Sequence, residues 1–208
     1  MINIKSHILS DVVEEMKNPE NCAEKLKGFK NQGFEHIFFT PEIKSSHTTK
    51  DIQKIKDDFE KIQKIAKAIG LKVHLGSEIA LYEHKDRKFI PILGRFLLIK
   101  LPEDNQPHYL FDEIFELQLE GYEIIIANIE NYTWIVQNKR TIKKLKRMNV
   151  YFHIESSILN TKLGKQFLKK NYVEFVSTEK PEKTLLDPKC AKNFSVITYK
   201  SKEILGLK

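Results

Sequence analysis

Apolar and polar positions along the chain fall into alternating short and long patterns. Short β-branched or aromatic runs at Ile2–Ile8, Phe34–Phe39, Leu71–Leu75, Phe96–Ile99, Tyr122–Ala127, Val150–Ile154 and Val173–Val176 read as strands. Between them, apolar residues recur three and four apart. This predicts helices near Pro19–Asn31, from Thr48 or Thr49 to Gly70, from Pro107 to Gly121, over Trp134–Arg147 and near Lys162–Lys170. The clearest, DIQKIKDDFEKIQKIAKAIG, places Ile52, Ile55, Phe59, Ile62, Ile65 and Ile69 on one stripe, and Gly70 stops it. Tyr82–Gly94 reads as irregular, and the tail repeats the strand theme weakly at Ser195–Tyr199 before a last turn near Ile204. Repeated βα units of roughly 30 residues predict an α/β fold with a parallel sheet, closed into a barrel or doubly wound. No linker or repeat divides the chain, so residues 1–208 are expected to form a single domain.

Several of these strands stop abruptly on polar residues: Lys5 and His7, Glu42, Glu78, Lys100, Asn128, Glu155, and then Thr178 and Lys180. In an α/β barrel such positions line the mouth where chemistry is built. Strand alternation puts Asn3, Lys5 and His7 on one face, His74 with Glu78 on another if the strand runs regularly through Gly76, and His153 with Glu155 on a third. If those faces point inward, His7, His74 and His153 converge with carboxylates. A lone strand histidine is more often a packed residue than a ligand; three converging ones carry more weight. No G-x-G-x-x-G turn is present, which argues against dinucleotide binding.

Composition narrows the field. A hydrophobic fraction of 41% and a charged fraction of 30% are those of a soluble globular protein. The net charge of +7 admits anionic partners, but the 35 basic residues are interleaved with 28 acidic ones along most of the chain. The densest basic run, Lys139 to Arg147, is the outer face of an amphipathic helix with Ile142 and Leu145 facing in. It lacks interleaved aromatics, which argues against nucleic acid. Cys22 and Cys190 have no metal or redox spacing and read as structural. No signal-peptide pattern and no apolar run near the ~20 residues needed to span a bilayer is present, so a cytoplasmic protein without a membrane span is expected. Tyr132 and Trp134 read as packing residues, Ser156 and Ser157 as caps of the next segment, and His36, His47, His84 and His108 as surface or loop residues.

The motifs sharpen this. LFDEIFELQLEGYEIIIANIENY is similar to a helix, a strand and an A-H-P-E-R-Y motif; INIKSHIL to D-I-H-x-H-I-L; FFTPE to A-T-P-H; LLIKLP to L-I-E-F-P; and VEFVSTEK stands where a strand ends in S-D-x-H. Over nearly its whole length the chain thereby resembles the bacterial tyrosine phosphatases of capsule and exopolysaccharide synthesis, in the polymerase and histidinol phosphatase (PHP) superfamily. The resemblance implies a distorted TIM-like (β/α)7 barrel. It also implies a site where histidines and carboxylates hold two or three divalent metals, often manganese.

Carried over residue by residue, that site is heavily altered. Lys5 stands at the first histidine of H-x-H, while His7 keeps the second. Glu42 replaces the T-P-H histidine, and Glu78 keeps the third-strand carboxylate. Lys100 replaces the L-I-E glutamate, Asn128 the A-H-P histidine, Asn131 the phosphate-binding arginine, and Thr178 and Lys180 the S-D-x-H pair. A charged lysine has no lone pair for a metal, and ammonium groups repel a dication in a low-dielectric pocket. The resemblance therefore implies a degenerate, non-catalytic binding or regulatory protein with no metal cofactor. Lys5 and Lys100 are expected to form an ion-pair network with Glu42 and Glu78. The ligand implied is a phosphotyrosine-bearing protein of polysaccharide export, held by Lys5, Lys100 and Lys180. The alternative is a metal-dependent phosphoester hydrolase of the protein-tyrosine-phosphatase type. It would hold one manganese or zinc ion on His7, Glu42 and Glu78, with His74 or His153 as a further ligand.

Overall fold

A computed structural model describes residues 1–6, 19–44, 46–81 and 88–207. Among them the order is β1 (Ile2–Asn3), α1 (Pro19–Asn31), β2 (His36–Phe39), β3 (Glu42–Ile43), α2 (Thr49–Ile69), β4 (Lys72–Leu75), β5 (Glu78–Ala80), β6 (Phe96–Lys100) and α3 (Leu110–Leu119). Then follow β7 (Glu123–Ile126), a 3-10 turn (Ile129–Asn131), α4 (Thr133–Val136), α5 (Lys139–Arg147), β8 (Tyr151–Glu155), a second 3-10 turn (Ser156–Ile158), α6 (Lys162–Lys169), β9 (Phe175–Ser177), α7 (Pro181–Leu186) and α8 (Pro188–Leu205).

Every strand pairing is parallel, as βα alternation requires. The strands form two sheets, β1-β2-β4 and β3-β5-β6-β7-β8-β9. This is an α/β fold whose larger sheet makes half a barrel. The second and third predicted strand runs lie in the smaller sheet, and after each the chain passes into the larger one. β2 ends at Phe39 and the chain resumes as β3 at Glu42; β4 ends at Leu75 and resumes as β5 at Glu78. Gly76 sits in the second break, where a Cβ would collide with the Ile92 side chain. Glu42 and Glu78 therefore begin strands instead of ending them, and they are ladder partners.

Two apolar layers follow from strand alternation. Along β6, Phe96 and Leu98 join Ile2, Ile4, Phe38, Ile125, Ala127 and Phe175 in an inner cluster. Leu97 and Ile99 face the helices, packing in the larger cluster with Leu110, Ile114, Leu117, Ile142 and Leu145. The α2 stripe is closed by a reciprocal cap between Thr48 and Asp51 and by left-handed Gly70.

Several predicted elements differ. The first strand is regular only to Asn3; Ile8, like His7, lies outside the described residues. Trp134–Arg147 is two helices, because the Asn138 side chain accepts from the backbone of Arg140 and Thr141 and starts α5 afresh. Ser195–Tyr199 is not a strand but part of α8. The Asp187 carboxylate caps that helix at Lys189 and Cys190, Pro188 occupies its first turn, and Cys190, Phe194, Ile197, Thr198, Ser201 and Leu205 form its buried face. Ser156 and Ser157 form a 3-10 turn, and Thr161 caps the helix that follows. His36 is buried, not superficial, while His84 lies outside the described residues. Tyr132 is buried with its hydroxyl accepting from the Leu101 N–H, and Trp134 donates to the Pro102 carbonyl. Cys22 and Cys190 are buried, and neither forms a disulfide among the described residues.

Candidate functional site

Lys5 follows the short first strand and crosses to the far side of the half-barrel. Its Nζ lies 2.9 Å from Glu78 Oε1 and 2.8 Å from Asn128 Oδ1. The side chains of Lys5 and Glu78 are only 10% and 4% exposed, so this is a buried ion pair rather than a screened surface contact. Asn128 can aim its amide there because its backbone is left-handed (φ 48°), a region asparagine tolerates.

The backbone of Asn128 starts a second chain of bonds. Its N–H donates to His153 Nδ1 at 3.1 Å. A neutral His153 must then carry its proton on Nε2 and donate it to Ser177 Oγ, 2.8 Å away. Ser177 in turn donates to Glu155 Oε2 at 2.7 Å. His153 and Ser177 are fully buried, so these bonds keep their polar atoms satisfied. Burial pushes the Glu155 carboxyl up to about 7. Glu179 and Glu130 add to the rise, while Ser177 and Lys5 oppose it. Glu130 accepts from the Glu155 N–H through one oxygen and is itself pushed up by burial.

Glu155 opens on a cavity of about 560 Å3 whose other charged walls are Lys5, Lys180, Lys183, Glu179 and Asp187. Hydroxyls line the rest. Thr184 bonds to Ser156 and to Thr178, and Thr178 accepts from the Lys180 N–H. Asn3 locks this wall to the first strand by accepting from the Thr178 N–H.

The site residues expected from the sequence thus divide. Lys5, Glu78, Asn128, His153, Glu155, Thr178 and Lys180 gather around one buried pair and one cavity. Glu42 and Lys100 line a separate depression of about 330 Å3 with Leu81, Pro102 and Glu103; Glu42 is exposed. Among the described residues no ion pair joins Lys100 to Glu42 or Glu78, so that half of the expected network is not formed. His74 does not share a site with Glu78, because the strand breaks at Gly76. Its Nε2 meets His36 Nδ1 at 2.9 Å and its ring stacks on Phe38. Burial, helped by His36 and Lys72, pushes His74 down to about 4. His7 lies outside the described residues. Sequence reasoning placed Asn3 on the Lys5 face but missed Ser177, Thr184 and Lys183. Ser177 had a usable signal, being two residues on from the strand residue Phe175 and one before Thr178. Thr184 and Lys183 had none, since they lie on the short helix after β9, where no strand period says which way a side chain points.

Among the described residues, which leave out His7, the donor set does not fit a metal cluster. Both acceptor atoms nearest the centre, from Glu78 and Asn128, are turned on the Lys5 ammonium, which offers no lone pair and repels a dication. Among the described residues no group of three histidine, cysteine or carboxylate side chains is arranged to hold an ion.

Known proteins supply the context. The profile of the capsular polysaccharide synthesis family CpsB/CapC matches residues 1–205. CapC of Staphylococcus aureus, named as a candidate tyrosine-protein phosphatase, is 28% identical over 86% of this chain and 76% of its own. The tyrosine-protein phosphatase CpsB of Streptococcus pneumoniae is 27% identical over 75% of this chain and 68% of its own. A solved structure from a study of YwqE of Bacillus subtilis and CpsB of S. pneumoniae, described as unique metal-dependent tyrosine phosphatases, superimposes with a TM-score of 0.68. It is 23% identical and covers 86% of this chain and 78% of that one.

Proposed function

Because the chain belongs to the CpsB/CapC family of capsular polysaccharide synthesis, we propose that it keeps the family's framework as a phosphate-recognition module without the metal-dependent hydrolysis of its relatives. One observation carries this reading: the buried Lys5 ammonium bonded to both Glu78 and Asn128. A cation supplied by a side chain neutralises Glu78, leaving that carboxylate committed to a partner other than a metal.

The ligand that suits the cavity is a phosphorylated tyrosine on a protein of polysaccharide export. Lys180 and Lys183 supply exposed positive charge at its rim, and Thr178, Thr184 and Ser157 supply hydroxyl donors. Lys100 plays no part, since it lines the other depression. No helix among the described residues is long and apolar enough to cross a membrane.

The names of the relatives favour a second reading, a metal-dependent tyrosine phosphatase with a reduced site on His7, Glu42 and Glu78. One experiment separates the two. Protein purified with manganese or zinc is assayed for bound metal, for hydrolysis of an aryl phosphate and for calorimetric binding of a phosphotyrosine peptide. The expected result is peptide binding that weakens in Lys180→Ala and Lys183→Ala, with no stoichiometric metal and no turnover. Stoichiometric metal with turnover that is lost in His7→Ala would establish the hydrolase instead.

A further inference from the structure

From Leu101 to Gln137 the chain has acidic residues but no lysine or arginine, and from Asn138 to Ile154 it has basic residues but no acid. Further basic stretches without acid run from Ser156 to Val173 and from Pro188 to Lys202, but Leu101–Gln137 is a long acidic stretch without a base. The acidic segment contains α3 and the basic segment contains α5, and the fold sets these helices side by side. Gln118 of α3 donates to the Met148 carbonyl at the end of α5 (2.5 Å), and the Lys144 ammonium lies 3.6 Å from the centre of the Phe111 ring. Each helix leads into a strand, α3 into β7 and α5 into β8, and these strands are parallel neighbours, so α3 and α5 run in the same direction.

The outer face of this pair is left with unspent interactions. On α3, Asp112, Glu116 and Glu120 are exposed. So are Phe115 and Leu119, at 53% and 66%. On α5, Lys139, Arg140, Lys143 and Arg147 are exposed. Among the described residues no ion pair links these exposed charges across the two helices. Phe115 and Leu119 are one helical turn apart, which makes an apolar ridge flanked by carboxylates.

We infer that the α3–α5 face binds a second copy of this chain. A two-fold axis lying between the helices and along them places the acidic α3 of each copy on the basic α5 of the other. That operation satisfies both charge sets at once, as an isologous interface requires. It also brings Phe115 and Leu119 of each copy over the aliphatic stems of the partner's lysines, where their apolar surface is covered. A foreign partner complementary to only one helix would leave the like-signed charges of the other unmatched. The acid and base patches side by side on one face are what favour self-association.

Charge exchange tests this. One variant carries Glu116→Lys with Glu120→Lys, reversing the balance of exposed charge on α3; the other carries Lys139→Glu with Lys143→Glu, cancelling most of that on α5. All four positions are exposed, and each new charge suits its end of the helix dipole, so circular dichroism should match the parent protein. Sedimentation equilibrium should show the parent approaching twice its 24.4 kDa mass, less so as salt rises. Each variant alone should self-associate more weakly by roughly tenfold or more. An equimolar mixture should recover the dimer, because the net-basic face of one variant meets the net-acidic face of the other. A parent that stays monomeric, a dimer indifferent to both variants, or a mixture that fails to recover would each overturn the inference.

Discussion

The Lys5 ammonium and the Glu78 carboxylate, 73 residues apart in sequence, meet at 2.9 Å with almost no exposure to bulk water. Removing one partner strands the other charge in a buried setting, which costs about 3–5 kcal/mol. Lys5→Met is therefore expected to lower stability by that order, and Lys5→Met with Glu78→Gln by clearly less. Urea denaturation of the two variants measures the difference, and equal losses would show that the pair is not coupled.

Glu155 is expected to make stability fall as pH rises. Its folded value of about 7 lies above the ordinary 4.5, so its contribution is fully present below 4.5 and is lost as pH rises through 7. Glu155→Gln, which can still accept from Ser177, should match the parent at pH 4.5 and be the more stable of the two at pH 8, by roughly 3 kcal/mol at most. Parallel stability curves for the two proteins across that range would refute this.

Ser177→Ala removes a bond that favours the ionised Glu155 and strands the His153 Nε2–H. The Glu155 titration, followed by carbonyl carbon NMR, should move to higher pH. Stability should drop by about 1–3 kcal/mol. A downward move of the titration would mean that Ser177 does not donate to the carboxylate.

His74 acts in the opposite sense to Glu155. Its folded value near 4 lies below the ordinary 6.5, so the unfolded chain takes up the proton first and stability declines as pH falls from 6.5 toward 4. His74→Phe, which can keep the stack on Phe38, should flatten that decline, as read from thermal midpoints at pH 4.5 and 7.

Gly76→Ala is expected to cost about 1–3 kcal/mol, because the added methyl meets Ile92 where the chain passes between the two sheets. Ile92→Ala in the same molecule should cost less than the sum of the two single changes, by chemical denaturation.

Much of the architecture was written in local pattern. The apolar stripe of α2, its Gly70 stop and the all-apolar run Ile124–Ile126 depend on periods of 3.6 and 2, which neighbouring residues set among themselves. The αβ alternation and the family motifs were likewise readable. Ser195–Tyr199 was misread because a short β-branched run looks alike in a strand and in a buried helix. Only the Asp187–Pro188 start, seven residues earlier, separates the two.

The candidate site was legible as a set of residue types but not as an arrangement. Sequence alone determined that lysines and an asparagine stand where the resemblance places metal ligands, because residue identity and motif spacing are local facts. Tertiary structure decided which of them meet. Lys5 reached Glu78 and Asn128, while Lys100 was carried to another depression, and the break at Gly76 turned His74 away from Glu78 toward His36. Side-chain direction after a strand break, and the approach of residues far apart in the chain, depend on packing between elements. No periodicity in a single strand encodes that.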